Sequence, residues 1–185
     1  MESEARELLR ELREDHRNMA IVLNLLDSVV QQASAGKDPD FELVGEIMRY
    51  MTVYPDAVHH PKEDVIYERL QSERPDLAEG LEDVPGDHNK IAELGSQLRD
   101  DVEAIIAGAA VRRDKLVEDM SRYIAHLRGH MAWEEDDLFE RVETMLDSEP
   151  LDFDVSDYEH IKDPVFELEV EAGFKRLMSG LPAPR

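Results

Sequence analysis

Apolar residues recur every three or four positions along four long segments of the chain, a spacing typical of helices that bury one face. The segments cover about residues 5–30, 41–70, 88–109 and 116–145, with predicted turns around Pro39, Pro85 and Gly108. A shorter apolar series from Val165 to Met178 predicts a fifth helix. We therefore expect an all-α fold. It would be an up-down-up-down four-helix bundle over residues 1–149, with a tail over residues 150–185 whose short helix packs on the bundle.

Two prolines fall inside the second segment. Pro55 and Pro61 each remove a backbone hydrogen bond and are expected to bend the helix, with a full break near Tyr54 as the alternative. Pro61 lies between His59 and Glu63, so the bend is expected beside two polar residues.

Histidine takes the place of an apolar residue once in each of the four segments. Glu63 and Glu134 follow two of these histidines by four positions, a spacing that places both side chains on one helix face. A bundle would thus direct four imidazoles and two carboxylates into its core, a set that suits a pair of first-row metal ions. The predicted ligands are His16, His59, Glu63, His88, His130 and Glu134.

A single histidine on such a face is more often a buried side chain bonded to backbone or water than a metal ligand. The joint pattern favours metal, because an uncompensated buried glutamate costs several kcal/mol or becomes protonated. Imidazole and carboxylate donors without a thiolate suit iron or manganese, with zinc possible. The Glu-x-x-His pairs of ferritin-like centres and the His-Glu-x-x-His motif of zinc proteases are both absent from the sequence.

Two further histidines near these positions have less certain roles. His126 lies one helical turn before His130 and is a possible seventh ligand. His60 and Asp64 also stand four positions apart, but about 100° around the helix from the ligands. That offset favours a pair at the surface or beside the ligands, and the sequence leaves open whether His60 is itself a ligand.

Three acidic residues adjoin the predicted ligands. Asp15 and Asp87 are expected to face elsewhere, as charges that favour helix N-termini. A diverged repeat aligns Glu63 with Glu135 instead of Glu134, so the repeat leaves open which of these glutamates points inward. The helix face favours Glu134, which stacks with His130.

Composition narrows the expected partners and location. The 185 residues carry a formal charge of −23, which disfavours nucleic acid and anionic membranes as partners. The chain has no cysteine, so disulfides and thiolate metal sites are excluded. The first residues lack the basic start and apolar run of a signal peptide, and no uncharged run is as long as a membrane span. We therefore expect a cytoplasmic protein, and the sequence leaves its oligomeric state open.

The ligand pattern resembles the hemerythrin-like, or HHE cation-binding, family over about residues 8–146. The resemblance rests on the strings His59-His60-Pro61-Lys62-Glu63-Asp64 and His130-Met131-x-x-Glu134-Glu135-x-x-Leu138-Phe139, and on Asp163-Pro164-Val165-Phe166 in the tail. It implies a non-heme di-iron centre in an up-down bundle, with oxygen carriage, oxygen or iron sensing, or repair of damaged iron centres as roles. Oxygen carriers of the family usually have His-x-x-x-His in the third helix, whereas Ala92 follows His88 here. The six-ligand set is more similar to members associated with nitrosative stress and iron-centre repair.

The residues and the resemblance together predict a protein that holds two iron ions, oxo- or hydroxo-bridged, with manganese or zinc as less favoured metals. It is expected to bind dioxygen or a related small oxidant such as peroxide or nitric oxide. Its role would be oxygen or iron sensing, or the response to oxidative or nitrosative stress. One alternative is an enzyme that consumes peroxide or nitric oxide at the same centre, and another is a metal-stabilised interaction module. Because Ala92 stands where carriers have a histidine, at least one iron is expected to have an extra open position.

Overall fold

The computed structural model of the protein describes residues 4–81, 83–148, 153–158, 161–166 and 173–182. Helices are the only regular elements among these residues, which confirms the predicted all-α class. The α-helices are α1 (Glu4–Ser34), α2 (Phe41–Tyr54), α3 (His60–Glu73), α4 (Pro75–Ala78), α5 (Val84–Ile106), α6 (Arg113–Trp133), α7 (Phe139–Ser148) and α8 (Lys175–Gly180). Two wide π-turns, Pro55–His59 and Glu134–Leu138, join α2 to α3 and α6 to α7. None of the described helices is long and apolar enough to cross a membrane.

The end of α1 follows a local sequence signal. Gly36 adopts a left-handed φ of +84°, a conformation that glycine reaches without a steric penalty. Its amide donates to the carbonyl of Ala33, and the amide of Lys37 donates to the carbonyl of Gln32. These two bonds satisfy carbonyls that the helix end would otherwise leave without donors.

The second predicted helix continues through its two prolines without breaking. Pro61 cannot donate a hydrogen bond, and in a regular α-helix its ring would crowd the carbonyl of Ala57. The chain instead widens at Pro55–His59, where the amide of His60 donates to the carbonyl of Pro55, five residues earlier. The predicted bend is therefore a π-turn, and α3 follows it directly.

The long helices pack around two separate apolar clusters. α1 lies against α6, α2 lies against α5, and α5 also contacts α6. The first apolar cluster includes Met19, Leu23, Leu26, Ile47, Met51, Leu98, Val102, Met120 and Leu127. The second apolar cluster includes Leu9, Leu12, Ile66, Leu70, Leu138, Phe139 and Val142. Burial of each such side chain contributes about 1.5–3 kcal/mol to folding, which offsets the cost of enclosing polar groups between the clusters.

The predicted fifth helix is shorter than expected. Its described helical part, α8, covers Lys175–Gly180, and the carboxylate of Glu46 accepts hydrogen bonds from backbone amides at its start. Residues 164–166 form a turn instead, because Asp163 accepts two backbone amides and, at 2.8 Å, the hydroxyl of Tyr50. Leu168 and Val170, which belong to the same apolar series, lie outside the described residues.

Candidate metal centre

The six residues predicted as ligands converge in a polar layer between the two apolar clusters. Each long helical path contributes at least one of them, and none exposes more than 6% of its surface. In chain order they are His16 from α1, His59 from the first π-turn, Glu63 from α3, His88 from α5, His130 from α6 and Glu134 from the second π-turn. The structure thus places Glu134 in the layer, whereas the side chain of Glu135 is one-third exposed.

Glu63 stands between two groups of imidazoles. Its Oε1 lies 3.2 Å from Nε2 of His59 and 3.5 Å from Nε2 of His16. Its Oε2 lies 3.6 Å from Nε2 of His88. One carboxylate therefore offers a separate oxygen to each group of rings.

Glu134 repeats this arrangement from another helix. Its Oε2 lies 3.4 Å from Nε2 of His16, and its Oε1 lies 3.4 Å from Nε2 of His88 and 3.1 Å from Nε2 of His130. Of these three approaches, the one between His88 and Glu134 has the geometry of a hydrogen bond. Two carboxylates thus span the same two groups of rings, as the bridging ligands of a metal pair would.

Most of the inward donor atoms are fully buried and have no hydrogen-bond partner among the described residues. They are Nε2 of His16, His59, His60 and His130, both oxygens of Glu63, and Oε2 of Glu134. Leaving one buried polar atom unsatisfied costs about 1–3 kcal/mol, and more when the atom is charged. Bound cations would satisfy several such atoms at once. The donor set therefore fits metal ions better than it fits a purely structural network.

For His16 and His88, the nearby carboxylates outweigh the effect of burial on the pKa of the imidazole. Burial lowers the pKa of His16, but the nearby carboxylates of Glu134, Glu135 and Glu63 raise that pKa to about 11. Burial also lowers the pKa of His88, which Asp64 and Glu134 raise to about 10. Burial raises the pKa of Glu63, but the adjacent imidazoles lower it to about 2. In the absence of metal these shifts favour charged His16 and His88 beside an ionised Glu63, and divalent cations can replace the protons of those two imidazoles.

Each of the four histidines predicted as ligands turns its other ring nitrogen, Nδ1, to a carboxylate outside the layer. The pairs are His16 with Glu135 at 2.9 Å, His59 with Asp15 at 3.2 Å, His88 with Asp64 at 2.9 Å and His130 with Asp87 at 2.9 Å. Donation from Nδ1 to a carboxylate fixes the tautomer of the neutral ring, so that its Nε2 lone pair would face the centre once a cation has displaced the Nε2 proton. Metal-bound histidines commonly have this second partner.

Two expectations about these acidic residues are wrong. Asp15 and Asp87 do not face elsewhere, because each accepts a hydrogen bond from a histidine of another helix. Asp64 pairs with His88 and not with His60. A sequence signal for these contacts exists in the Asp-His dipeptides at 15–16 and 87–88 and in the acid that follows each inward glutamate.

His60 also lies in the polar layer, so the surface position considered for it is wrong. It is 3% exposed, and its ring stacks on that of His88 with 4.5 Å between the centroids. Burial lowers the pKa of His60, with Asp56 opposing the effect, which favours the neutral form of the ring. Adjacent residues of an α-helix point about 100° apart. The π-turn that ends at His59 allows both neighbours to face the layer.

His126 does not join the converging donors. Its side chain is about one-third exposed, and its Nε2 lies 2.8 Å from a carboxylate oxygen of Asp87. The other oxygen of Asp87 accepts from His130. His126 therefore contacts the layer through a shared carboxylate.

The donor atoms form two compact groups that share one residue. One group contains His60, Glu63, His88 and His130, and the other contains His16, His59 and Glu63. Within each group the ligand atoms lie within 4.8 Å of one another. The layer thus has donors for two cations on either side of the carboxylates.

Comparison with protein families gives one match, to the hemerythrin HHE cation binding domain. The match covers residues 7–142, with a second alignment over residues 80–163. The first alignment alone spans more than half of the chain and contains all six predicted ligands. It confirms the family resemblance carried by the histidine and glutamate strings. No curated protein and no solved structure matches the chain.

Proposed function

The chain belongs to the hemerythrin HHE cation-binding family, and on that premise we propose that it holds two iron ions and binds dioxygen or a related small oxidant. The proposed role is oxygen or iron sensing, or the response to oxidative or nitrosative stress. The observation that carries the proposal is the pair of buried carboxylates. Each carboxylate directs one of its oxygens toward one group of imidazoles and the other oxygen toward the second group. Glu63 and Glu134 would bridge the ions, and the imidazoles of His16, His59, His88 and His130 would fill terminal positions.

Donor chemistry supports iron as the metal. Imidazoles and carboxylates without thiolates suit iron and manganese, and zinc accepts the same donors. When bound, a pair of irons supplies the redox chemistry that a response to small oxidants needs. The contribution of the chain is to hold the ions, and the acids at Nδ1 keep the imidazoles oriented toward them.

Burial of the layer supports a small ligand. Glu63 and Glu134 have no exposed surface. Along α1, the second apolar cluster precedes the layer and the first apolar cluster follows it. Packed interiors admit molecules of a few atoms through side-chain fluctuations, whereas a larger substrate would have to separate the helices. Dioxygen, peroxide and nitric oxide are small enough to reach such a site.

The metal content of protein from iron-replete cells tests the metal. We expect about two irons per chain, with near-ultraviolet absorption from the ferric pair. One zinc and no iron per chain after iron-replete growth would overturn the di-iron proposal.

The response of the reduced, iron-loaded protein to oxidants tests the role. A reversible spectral change with stoichiometric dioxygen would support binding. Consumption of many equivalents of peroxide or nitric oxide would identify an enzyme instead. Metal that raises the melting temperature but responds to none of the three oxidants would identify a structural role.

A further inference from the structure

The proposed two-metal centre leaves one buried histidine of the described residues without a role. His60 is 3% exposed, and its Nε2 has no hydrogen-bond partner among the described residues. Its Nδ1 approaches Asp56 at 3.4 Å, but that carboxylate oxygen is also without a hydrogen bond. Buried histidines that serve packing alone normally satisfy their ring nitrogens. The burial of this ring therefore needs another explanation.

The position of the ring supplies that explanation. It stacks on His88, with 4.5 Å between centroids and 13° between planes, and meets His130 edge-on at 5.7 Å. Donor atoms of His60, Glu63, His88 and His130 all lie within 4.8 Å of one another. His60 thus belongs to one side of the layer, opposite the group formed by His16 and His59.

We infer that His60 is a protein ligand of the metal ion that His88 and His130 also hold. This inference rests on the proposed two-metal centre and makes it asymmetric. His60, His88 and His130 would hold one ion together with an oxygen from each of Glu63 and Glu134, whereas His16, His59 and the remaining carboxylate oxygens would hold the other. Since iron in such sites accepts up to about six donors, the ion beside His16 and His59 would keep more free positions. A small oxidant would bind at that ion.

The first experiment compares metal binding in His60→Ala and in the matched variant His126→Ala. His126 is also an imidazole near Asp87, but it lies outside the layer. Fe²⁺ is titrated without oxygen into the metal-free proteins. The parent chain and His126→Ala should bind two equivalents tightly, whereas His60→Ala should bind the second at least about tenfold more weakly.

X-ray absorption of the iron-loaded proteins counts the imidazoles directly. The parent chain should show five imidazoles for two irons, and His60→Gln should show four. His60→Gln keeps a polar side chain of similar size, so it provides a second variant with less risk to folding. Unchanged affinity for both irons and an unchanged imidazole count in His60→Gln would overturn the inference. Fewer than two bound metals in the parent chain would instead overturn the two-metal centre itself.

Melting temperatures distinguish a ligand from a residue needed only for packing. For a ligand, the metal-free His60 variants should melt close to the metal-free parent, and the rise in melting temperature on adding iron should shrink. For a packing residue, the metal-free variants should melt lower, with the rise unchanged. The second result would also overturn the inference.

Discussion

At the scale of single residues, the four imidazoles proposed as ligands each pair with an acid from another part of the bundle. A carboxylate at Nδ1 holds the ring in place and makes Nε2 a stronger donor. Asp64 is the carboxylate at Nδ1 of His88, and Glu135 is the carboxylate at Nδ1 of His16. Both acidic side chains are about one-third exposed. Water can replace such a partner when it is removed. No water can replace the charge of the fully buried Glu63 or Glu134, so the two kinds of acid should differ in mutational effect.

This difference predicts the result of four alanine substitutions. Glu63→Ala and Glu134→Ala should each lose bound metal to one equivalent or less, because each would remove a ligand shared by both ions of the proposed centre. Asp64→Ala and Glu135→Ala should keep two equivalents with affinity lowered about 10- to 100-fold. Metal titration followed by elemental analysis measures both quantities. Equal losses in all four variants would show that the inward and outward acids are wrongly assigned.

The sequence predicted the residues of the layer whose position follows from helical spacing alone. His59 with Glu63 and His130 with Glu134 stand four positions apart, and each pair lies on one face in the structure. The role of His60 stayed open at the level of sequence because a regular helix would turn it away from His59. The contacts of the outer acids cross between helices, and a single sequence carries no direct record of which helices are neighbours.

At the scale of elements, the two π-turns determine which residues face the layer. Pro55 and Pro61 mark the first of them in the sequence, since neither can donate a backbone bond. The second π-turn contains no proline and has no comparable signal. It holds one residue more than a regular turn, which explains why the repeat beginning at Glu63 is offset by one residue from the match of the ligands.

Two glycines inside helices provide a matched test of helix packing. In α6, a Cβ added at Gly129 would meet no atom within 4 Å, so Gly129→Ala should raise the free energy of unfolding by about 0.5–1 kcal/mol. In α5, a Cβ at Gly95 would lie 3.0 Å from Thr52 and 3.2 Å from Tyr123. Overpacking there should cancel the helix gain or give a net loss of up to about 2 kcal/mol. Denaturant unfolding of the metal-loaded variants tests this contrast, and a more stable Gly95→Ala would contradict the close packing.

At the scale of the whole molecule, a charged layer divides the hydrophobic core. The first and second apolar clusters would form a continuous core if the polar residues between Leu12 and Met19 on α1, and their counterparts on the other helices, were apolar. The fold therefore depends on whatever neutralises Glu63 and Glu134. The raised pKa values of His16 and His88 favour protons on these two imidazoles in the metal-free protein, and cations would replace them in the loaded protein. The two forms should consequently respond to pH in different ways.

Melting temperatures across the pH range test this dependence. The pKa of His16 is raised from 6.5 to about 11 and that of His88 to about 10, so their stabilisation is complete below pH 6.5 and is lost as pH rises toward those values. The pKa of Glu63 is lowered from 4.5 to about 2, so its stabilisation is present above pH 4.5 and is lost on further acidification. From the contributions of these groups, the metal-free protein should be most stable between pH 4.5 and 6.5 and should melt at progressively lower temperatures on the alkaline side.

Metal competes with protons for the imidazoles, so the rise in melting temperature on adding iron should grow over the same alkaline range. High salt serves as the control, because it screens repulsion among the exposed acids but acts little on the buried layer. A metal-free protein whose melting temperature in high salt is flat or rises from about pH 6.5 to about pH 9 would contradict the proposed protonation of the layer.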